Sequence, residues 1–320
     1  MEKVDSSKKG TGFLLKAGYA GLFVVVYVVA FYYLLPYDKI TRYLEVTLSE
    51  TTKCNVKIDS VEFNPLSGVT LNNIHFEKKL KGETRSLLDI DELKISSFLY
   101  SAVMFPKSKE MSMTISSKLY GGSVNGSIHL AQDKAVRLSS IDLTINGIDI
   151  SKLTLADTIF NVKAKGALDG EISLASATGE LMKATGKVDL TISDGAVTGI
   201  VLNNIGSGML RLDNMKLPDI KLGAVKVSLN KDPQRPLKVK TISVKGGDMN
   251  ADFSGNVNLS RNIRATSANL IVKFNFADSF LKKDVTLSML DQSLKSFKDV
   301  KGFYNIKLDG SLMSPKIRTM

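Results

Sequence analysis

Cysteine, histidine and tryptophan are almost missing from this chain of 320 residues. It has one cysteine, Cys54, two histidines, His75 and His129, and no tryptophan. A single cysteine excludes an internal disulfide, and two histidines with one thiol make a structural zinc site unexpected. Each histidine lies in an alternating polar and apolar segment, which favours a residue on a strand surface over a metal ligand. We therefore expect neither a metal nor a cofactor.

Motifs that carry catalysis are missing as well. The chain contains no HExxH, GxSxG or CxxC. Gly179 to Lys187 resembles a phosphate-binding loop, but six residues separate its glycines where four are required. Val188 also stands where such a loop has Ser or Thr. Aspartate and glutamate are scattered without a recognisable pair, so we interpret the chain as a protein that is not an enzyme.

Acidic residues are fewer than basic ones, and the formal net charge is +11. Lysine and arginine are spread along the chain, which favours solvated strand faces. The functional alternative is attraction to anionic lipid headgroups. A nucleic-acid partner is not expected, because no patch combines basic and aromatic residues.

Long apolar runs are also rare, and one stands out at Ala17–Leu35. Its nineteen uncharged residues would rise roughly 28 Å as a helix, close to the thickness of a bilayer core. Four lysines precede it, so the positive-inside bias predicts a cytoplasmic N-terminus at 1–16, a transmembrane anchor at 17–35 and residues 36–320 across the membrane. The alternative is a cleaved signal peptide, which the bulky end FYYLLPY disfavours.

The remainder of the chain is dominated by period-two alternation. Directly after the run, Ile40 to Leu48 has helical spacing and predicts a short amphipathic helix. Val56–Phe63 then predicts a strand with one slip in phase, and the clearest strand is Met249–Leu259, with one apolar and one polar face. Val201 to Leu217 is ambiguous, and the stripe from Leu287 to Phe297 predicts a later helix.

This pattern predicts a mainly β, antiparallel fold with one dry and one wet face. Two architectures can cover the dry face. One is a sandwich of two sheets. The other is a large, strongly curved sheet with an apolar groove, for which glycines inside the strands would allow curvature. Periodicity alone favours the sandwich.

Several short segments resemble two related protein families. The anchor, the helix Ile40–Ser49 and the strand and hairpin that follow are similar to the start of AsmA-like proteins. Later segments resemble the type II secretion protein GspN, namely Leu217–Gly223, Gly246–Asp248, the strand through Gly255, and Gly302–Tyr304 leading to Gly310–Pro315. The resemblance covers the outline of nearly the whole chain through loose patterns of turn residues.

The resemblance implies a bacterial inner-membrane protein whose β-rich domain, 36–320, lies in the periplasm. Its first implied function is an accessory component of type II protein secretion, with the inner membrane and other secretion-system or envelope proteins as partners. The alternative is an AsmA-like lipid-binding or lipid-transfer protein that holds phospholipid acyl chains in a β-groove. A periplasmic scaffold remains a third interpretation.

Eight residues are the candidates for the lipid groove, and their alternative interpretation is an ordinary β core. They are Met249, Phe253, Val257, Leu259, Val272, Phe274, Ile306 and Leu308. No catalytic or metal-binding residue is predicted.

Overall fold

The computed structural model describes most of the chain from Pro36 onward. The described residues are 22–23, 26, 36–64, 68–80, 83–96, 107–132, 136–154, 162–176, 178, 183–202, 215–233, 236–258, 260, 266–283, 287–288, 291–292, 295, 298–311 and 314–319.

The predicted cytoplasmic segment 1–16 and most of the predicted anchor 17–35 lie outside the described residues. Leu22, Phe23 and Val26 are described, and they are helical with exposed side chains. Within the described ranges, no helix combines the length and the hydrophobicity that a membrane span needs. The anchor therefore stays a prediction.

Strands make up most of the described fold. The helices are α1 (Tyr37–Thr52) and α2 (Asp278–Leu281), with a 3₁₀ turn at Ile150–Lys152. The strands are β1 (Asn55–Asn64), β2 (Gly68–Leu80), β3 (Glu83–Ser96), β4 (Glu110–Leu119), β5 (Gly122–Gln132), β6 (Val136–Asp149), β7 (Lys163–Ala175), β8 (Thr185–Thr198), β9 (Val201–Leu202), β10 (Met215–Lys216), β11 (Ile220–Lys231), β12 (Leu237–Lys245), β13 (Met249–Asn258), β14 (Ser267–Phe276), β15 (Tyr304–Ser311) and β16 (Ser314–Thr319).

Fourteen of these strands form one continuous sheet in which all neighbours are antiparallel. The strands follow chain order from β1 to β8 and from β11 to β16, while β9 and β10 form a separate short ladder. The mainly β, antiparallel prediction is confirmed. The sandwich that periodicity alone favours is not the arrangement found. Alternation specifies which residues share a face, but it does not specify what covers that face.

The sheet is open, because β1 and β16 are its two edges and do not pair with each other. Adjacent strands are spaced about 4.8 Å apart, so fourteen strands extend about 60 Å across the sheet. The fold is therefore a long wall whose first strand follows the predicted anchor and whose last strand is remote from it.

The predicted short helix is confirmed as α1, which packs on the first strands. Its apolar side chains contact the buried cluster around Ile58 and Ile74. The residues that it contributes are Ile40, Leu44 and Leu48. The helix ends at Lys53, which adopts a left-handed conformation (φ +58°) and donates its N–H to the carbonyl of Ser49 at 2.9 Å.

The predicted phase slip in β1 is present in both strands of the first hairpin. Ile58 pairs with Ile74 and Val61 pairs with Leu71, so each strand carries two residues between its buried positions. In that interval, Asn73 has φ +50° and its amide donates to Asp59 at 3.0 Å. The hydrophobic register therefore resumes on the same face.

Several connections cover one end of the apolar face. The strands alternate in direction, so the turns β4–β5, β6–β7 and β14–β15 all lie at the end where β1 begins. Tyr120, Leu153 and Phe280 from these three connections pack on strand residues there. We call this the capped end of the sheet.

Two segments that break the strand pattern, the ambiguous 201–217 and the predicted late helix, are partly described. Val201–Leu202 pairs with Met215–Lys216 as the β9–β10 ladder, and 203–214 lie outside the described residues. In the predicted late helix, residues 287–288 and 291–292 are helical, while 289–290, 293–294 and 296–297 lie outside the described residues.

Candidate functional site: the apolar face of the sheet

One row of cross-strand neighbours runs through all fourteen strands of the sheet. Each member pairs directly with the next, and each is either apolar or glycine. We call it the central row; its positions are Phe63, Val69, Ile95, Ile115, Gly126, Leu143, Ile172, Val188, Leu229, Val239, Gly255, Leu270, Leu308 and Ile317. No charged or hydrogen-bonding side chain interrupts it.

A second row lies two residues along each strand, or three at the bulge in β12, toward the capped end, and is nearly as apolar. It begins at Val61 and Leu71 and continues through Phe253, Val272 and Ile306. Its polar members include Ser117, whose buried hydroxyl has no hydrogen-bond partner in the described part of the chain. The two rows define what we call the apolar face.

The predicted groove residues lie together on this face. Seven of the eight are described, and they occupy three adjacent strands: Met249, Phe253 and Val257 in β13, Val272 and Phe274 in β14, and Ile306 and Leu308 in β15. Leu259 lies outside the described residues. Phe253, Val272 and Ile306 are direct cross-strand neighbours. Whether these residues line a lipid groove stays a prediction.

An aromatic cluster that sequence reasoning missed closes the capped end of these strands. The Phe274 ring lies 5.1 Å from Tyr304 and 5.7 Å from Phe276, and Phe276 stacks on Phe280 at 5.7 Å. Phe280 is fully buried, and Leu287 packs beside it on Met249 and Ile220. The helical stripe that includes Leu287 was a usable signal, whereas nothing in the local pattern distinguishes Phe280.

A buried carboxylate holds this cap to the sheet. Asp248, in the turn between β12 and β13, accepts the backbone N–H of Lys221 at 2.9 Å and the Lys283 ammonium at 2.9 Å. The Asp248 side chain is 10% exposed, whereas that of Lys283 is 51% exposed. Burial alone would raise the pKa of Asp248, but the Lys221 N–H and the Lys283 ammonium together lower it below its ordinary value.

A second polar group supports the start of β15. The Tyr304 hydroxyl donates to Asp291 at 2.6 Å, and the Lys298 ammonium lies 2.7 Å from the same carboxylate. Lys298 also lies 5.0 Å from the centre of the Tyr304 ring. Burial and the neighbouring carboxylate raise the pKa of Tyr304 well above its usual range. The ring of Tyr304 thus packs on Phe274, while its hydroxyl has a hydrogen-bond acceptor in Asp291.

Side chains of α1 accept hydrogen bonds from backbone N–H groups at the first edge of the sheet. Glu45 accepts the backbone N–H of Ile58 at 2.9 Å, and Ser49 accepts that of Val56 at 2.9 Å. These N–H groups point away from β2 and would otherwise be free to pair with another strand. The helix therefore blocks strand addition at β1.

The apolar face is less covered away from the capped end. Leu138 is 37% exposed and pairs with Leu130, and Met113 and Ile128 are partly exposed cross-strand neighbours. A cavity of about 60 Å³ lies between Leu138, Ile141, Leu174 and Ala184. Among the described elements no second sheet lies against these residues, since the strands contact their neighbours within the one sheet.

His75 and Cys54, two of the three histidine and cysteine residues, contact groups that are common neighbours of such side chains. His75 Nδ1 lies 2.8 Å from the carboxylate of Asp89 on the polar face. Cys54 is half-buried in the turn before β1, with its sulfur 3.5 Å from the carbonyl of Thr52. In the described ranges, no three His, Cys, Asp or Glu side chains come together as metal ligands would.

Comparison with known proteins adds no family to this geometry. No family model, curated protein or solved structure matches the chain. The resemblance to AsmA-like and GspN proteins thus rests on its short segments, and the functions that it implies are proposals.

Proposed function

We propose that this protein binds the acyl chains of lipids along the apolar face of its sheet, next to the membrane to which residues 17–35 tether it. The observation that carries the proposal is the central row, which continues from Phe63 in β1 to Ile317 in β16 without a polar side chain. Such a row offers a continuous path about 60 Å long for an apolar ligand.

The energetic reason is the cost of apolar surface in water. Burial is worth about 25 cal/mol per Å² of apolar area, so an extended face of Leu, Ile and Val favours a covering partner. Contiguous exposed apolar patches of more than a few hundred Å² mark interaction sites in soluble domains. Acyl chains have the shape and chemistry to cover a row that is long and free of hydrogen-bonding groups.

The polarity of the two faces favours this function over a purely structural wall. The opposite face carries hydrogen-bonded and ion-paired groups, for example Lys57 with Glu77 at 3.0 Å and Ser173 with Asp142 at 2.6 Å. Helix α1 and the cap around Phe280 cover two parts of the apolar face, and the strands between them retain partly exposed side chains.

Site-specific photo-crosslinking tests the proposal. A photoreactive amino acid would replace Met113 or Ile128 on the apolar face of the full chain in cells. Thr114 and Ser127 are the matched controls, because they are the next residues on the same strands and face the other side. Acyl-chain binding predicts lipid adducts at the first pair and none at the second.

Native mass spectrometry of the full chain, extracted in mild detergent, gives an independent readout. We expect bound phospholipid in the spectrum. Lipid adducts at all four positions, or neither adducts nor bound phospholipid in the wild type, would overturn the proposal.

The secretion function rests on the resemblance alone. It stays a prediction of an accessory role in type II secretion at the inner membrane, and an accessory component built on a lipid-binding sheet would satisfy both interpretations. Deletion of the gene tests it, because folded exoproteins should then accumulate in the periplasm.

A further inference from the structure

The net charge of the chain is concentrated in its last third. Residues 199–320 contain 20 Lys and Arg against 10 Asp and Glu, whereas residues 1–198 contain 23 against 22. Lysine and arginine occur in both parts of the chain, but the net charge of +11 lies almost entirely in the later part. Both kinds of charge contribute to this difference, because residues 199–320 hold 20 of the 43 basic residues but 10 of the 32 acidic ones.

Five exposed lysines lie on the polar face of β11, β12 and β14. They are Lys226, Lys238, Lys240, Lys245 and Lys273, and we call them the lysine patch. Lys226 and Lys273 lie at the two ends of one cross-strand row. In this row, Lys226 is opposite Ser243, Ser243 is opposite Asp252, and Asp252 is opposite Lys273. Lys240 is exposed at the bulge in β12.

The neighbours of the patch are mostly amides that can donate hydrogen bonds. Asn256 pairs with both Lys238 and Asn269, and Asn250 pairs with Asn275. Asp252 is the acidic residue of β13, and Asp309 of β15 is paired with Lys307 at 3.2 Å. Among the described residues of these strands, the surface is thus a broad array of donors, and Asp252, opposite Lys273, has no ion pair within 4.0 Å.

Some lysines of the first eight strands are ion-paired. Lys57 is paired with Glu77 at 3.0 Å, and Lys118 with Glu92 at 3.4 Å. In the described part of the chain, none of Lys226, Lys238, Lys240 and Lys245 lies within 4.0 Å of a carboxylate oxygen. The sheet therefore presents free positive charge on the strands that are remote from α1.

We propose that the lysine patch docks on a bilayer surface that contains anionic lipids. Lysine side chains spread over the three strands β11, β12 and β14 match a layer of phosphate headgroups rather than one small anion. Each basic residue close to such a surface adds to the attraction. This inference is independent of acyl-chain binding, because it concerns the opposite face.

A second copy of the chain is a poorer match for the patch. Several acids of the first eight strands already accept internal hydrogen bonds, as Asp59 does from Asn73, Glu62 from Asn72 and Asp189 from Ser228. These carboxylates are less available to pair with the lysines of another copy.

Capture of lipid vesicles tests the docking. The full chain, reconstituted in phosphatidylcholine nanodiscs, is offered vesicles of phosphatidylcholine with or without phosphatidylglycerol. The patch variant carries Lys226→Gln, Lys238→Gln, Lys240→Gln and Lys245→Gln. The matched control carries Lys94→Gln, Lys152→Gln, Lys163→Gln and Lys165→Gln, which removes the same charge from exposed positions before residue 199.

We expect the wild type to capture vesicles that contain phosphatidylglycerol and not those without it, with steep weakening at higher salt. The patch variant should lose at least tenfold in capture, and the control should stay within twofold. Equal loss in both variants, or equal capture of both vesicle types, would overturn the proposal. Self-association of the wild type that needs the patch but no anionic lipid would also overturn it, because it would assign the patch to a second copy.

Discussion

Lys283 and Asp248 form an ion pair of 2.9 Å that joins the segment after α2 to the turn between β12 and β13. The pair lies beside Phe280, over whose ring the Lys283 ammonium sits at 5.3 Å. The carboxylate also accepts the N–H of Lys221 and so connects three parts of the chain. This contact holds the cap on the apolar face.

Asp248→Asn should destabilise the cap. The amide oxygen of Asn can still accept the Lys221 N–H, but the Lys283 ammonium loses its counter-charge. A buried hydrogen-bonded group that loses its match costs about 1–3 kcal/mol. Thermal unfolding of the full chain measures this effect, with Asp252→Asn as the control because Asp252 is exposed. The assigned role is wrong if the two variants unfold at the same temperature.

Stability should fall in acid because of the same carboxylate. The pKa of Asp248 is lower in the folded chain than its ordinary value, so it stabilises the fold above the unfolded pKa of about 4. That stabilisation is lost as the pH falls through the folded pKa. The pKa of Asp291 is lowered too, since Lys298 and Tyr304 outweigh the effect of burial. Unfolding free energy measured between pH 6 and pH 3 should decline less steeply in Asp248→Asn than in the wild type.

Tyr304→Phe should cost about 1 kcal/mol through the lost hydrogen bond to Asp291. The ring can still pack on Phe274, so the fold should remain intact. The pKa of Asp291 should rise toward its ordinary value, because one of the groups that lower it is gone. Titration of the Asp291 carboxyl by NMR measures this shift, and an unchanged pKa would contradict the assigned contact.

Local patterns predicted the strands well because a half-buried strand must alternate. Met249–Asn258 is one example, where buried Ala251 is followed by exposed Asp252. The same alternation predicts that Phe253, Val272 and Ile306 share one face, and they are direct cross-strand neighbours. No local sequence pattern predicts the order of the strands, because each strand can pair with any other strand of similar pattern.

The parts that sequence reasoning missed depend on contacts between distant segments. Phe280 is buried only because the β14–β15 connection folds back on Met249 and Ile220. In the sequence, Tyr304 is indistinguishable from the other apolar strand residues. Its role depends on the hydrogen bond that its hydroxyl donates to Asp291. Residue counts alone reveal the charge asymmetry. The strand pairing is needed to show that Lys226 and Lys273 lie on the same face of the sheet.

Glu45→Ala should open the first edge of the sheet. The backbone N–H of Ile58 would lose its acceptor, which costs about 1 kcal/mol, and β1 would become available to other strands. Hydrogen exchange should show roughly tenfold faster exchange at Ile58, with Glu50→Ala on the exposed side of α1 as the control. Unchanged exchange at Ile58 would show that Glu45 does not seal the edge.

Gly255→Ala should destabilise the sheet more than Gly121→Ala, although both glycines have a positive φ. Gly255, in the central row, has φ +138°, and a Cβ there would collide with the backbone carbonyl of Asn269 in β14. Gly121, in the β4–β5 turn, has φ +80° and no atom within 4 Å of such a Cβ. Backbone strain alone costs about 1–3 kcal/mol, so Gly121→Ala should lie at the lower end of that range. Gly255→Ala adds the clash between strands and should exceed about 3 kcal/mol in chemical unfolding. Equal costs at the two positions would mean that close approach of β13 and β14 does not require glycine, and that strain alone sets the penalty.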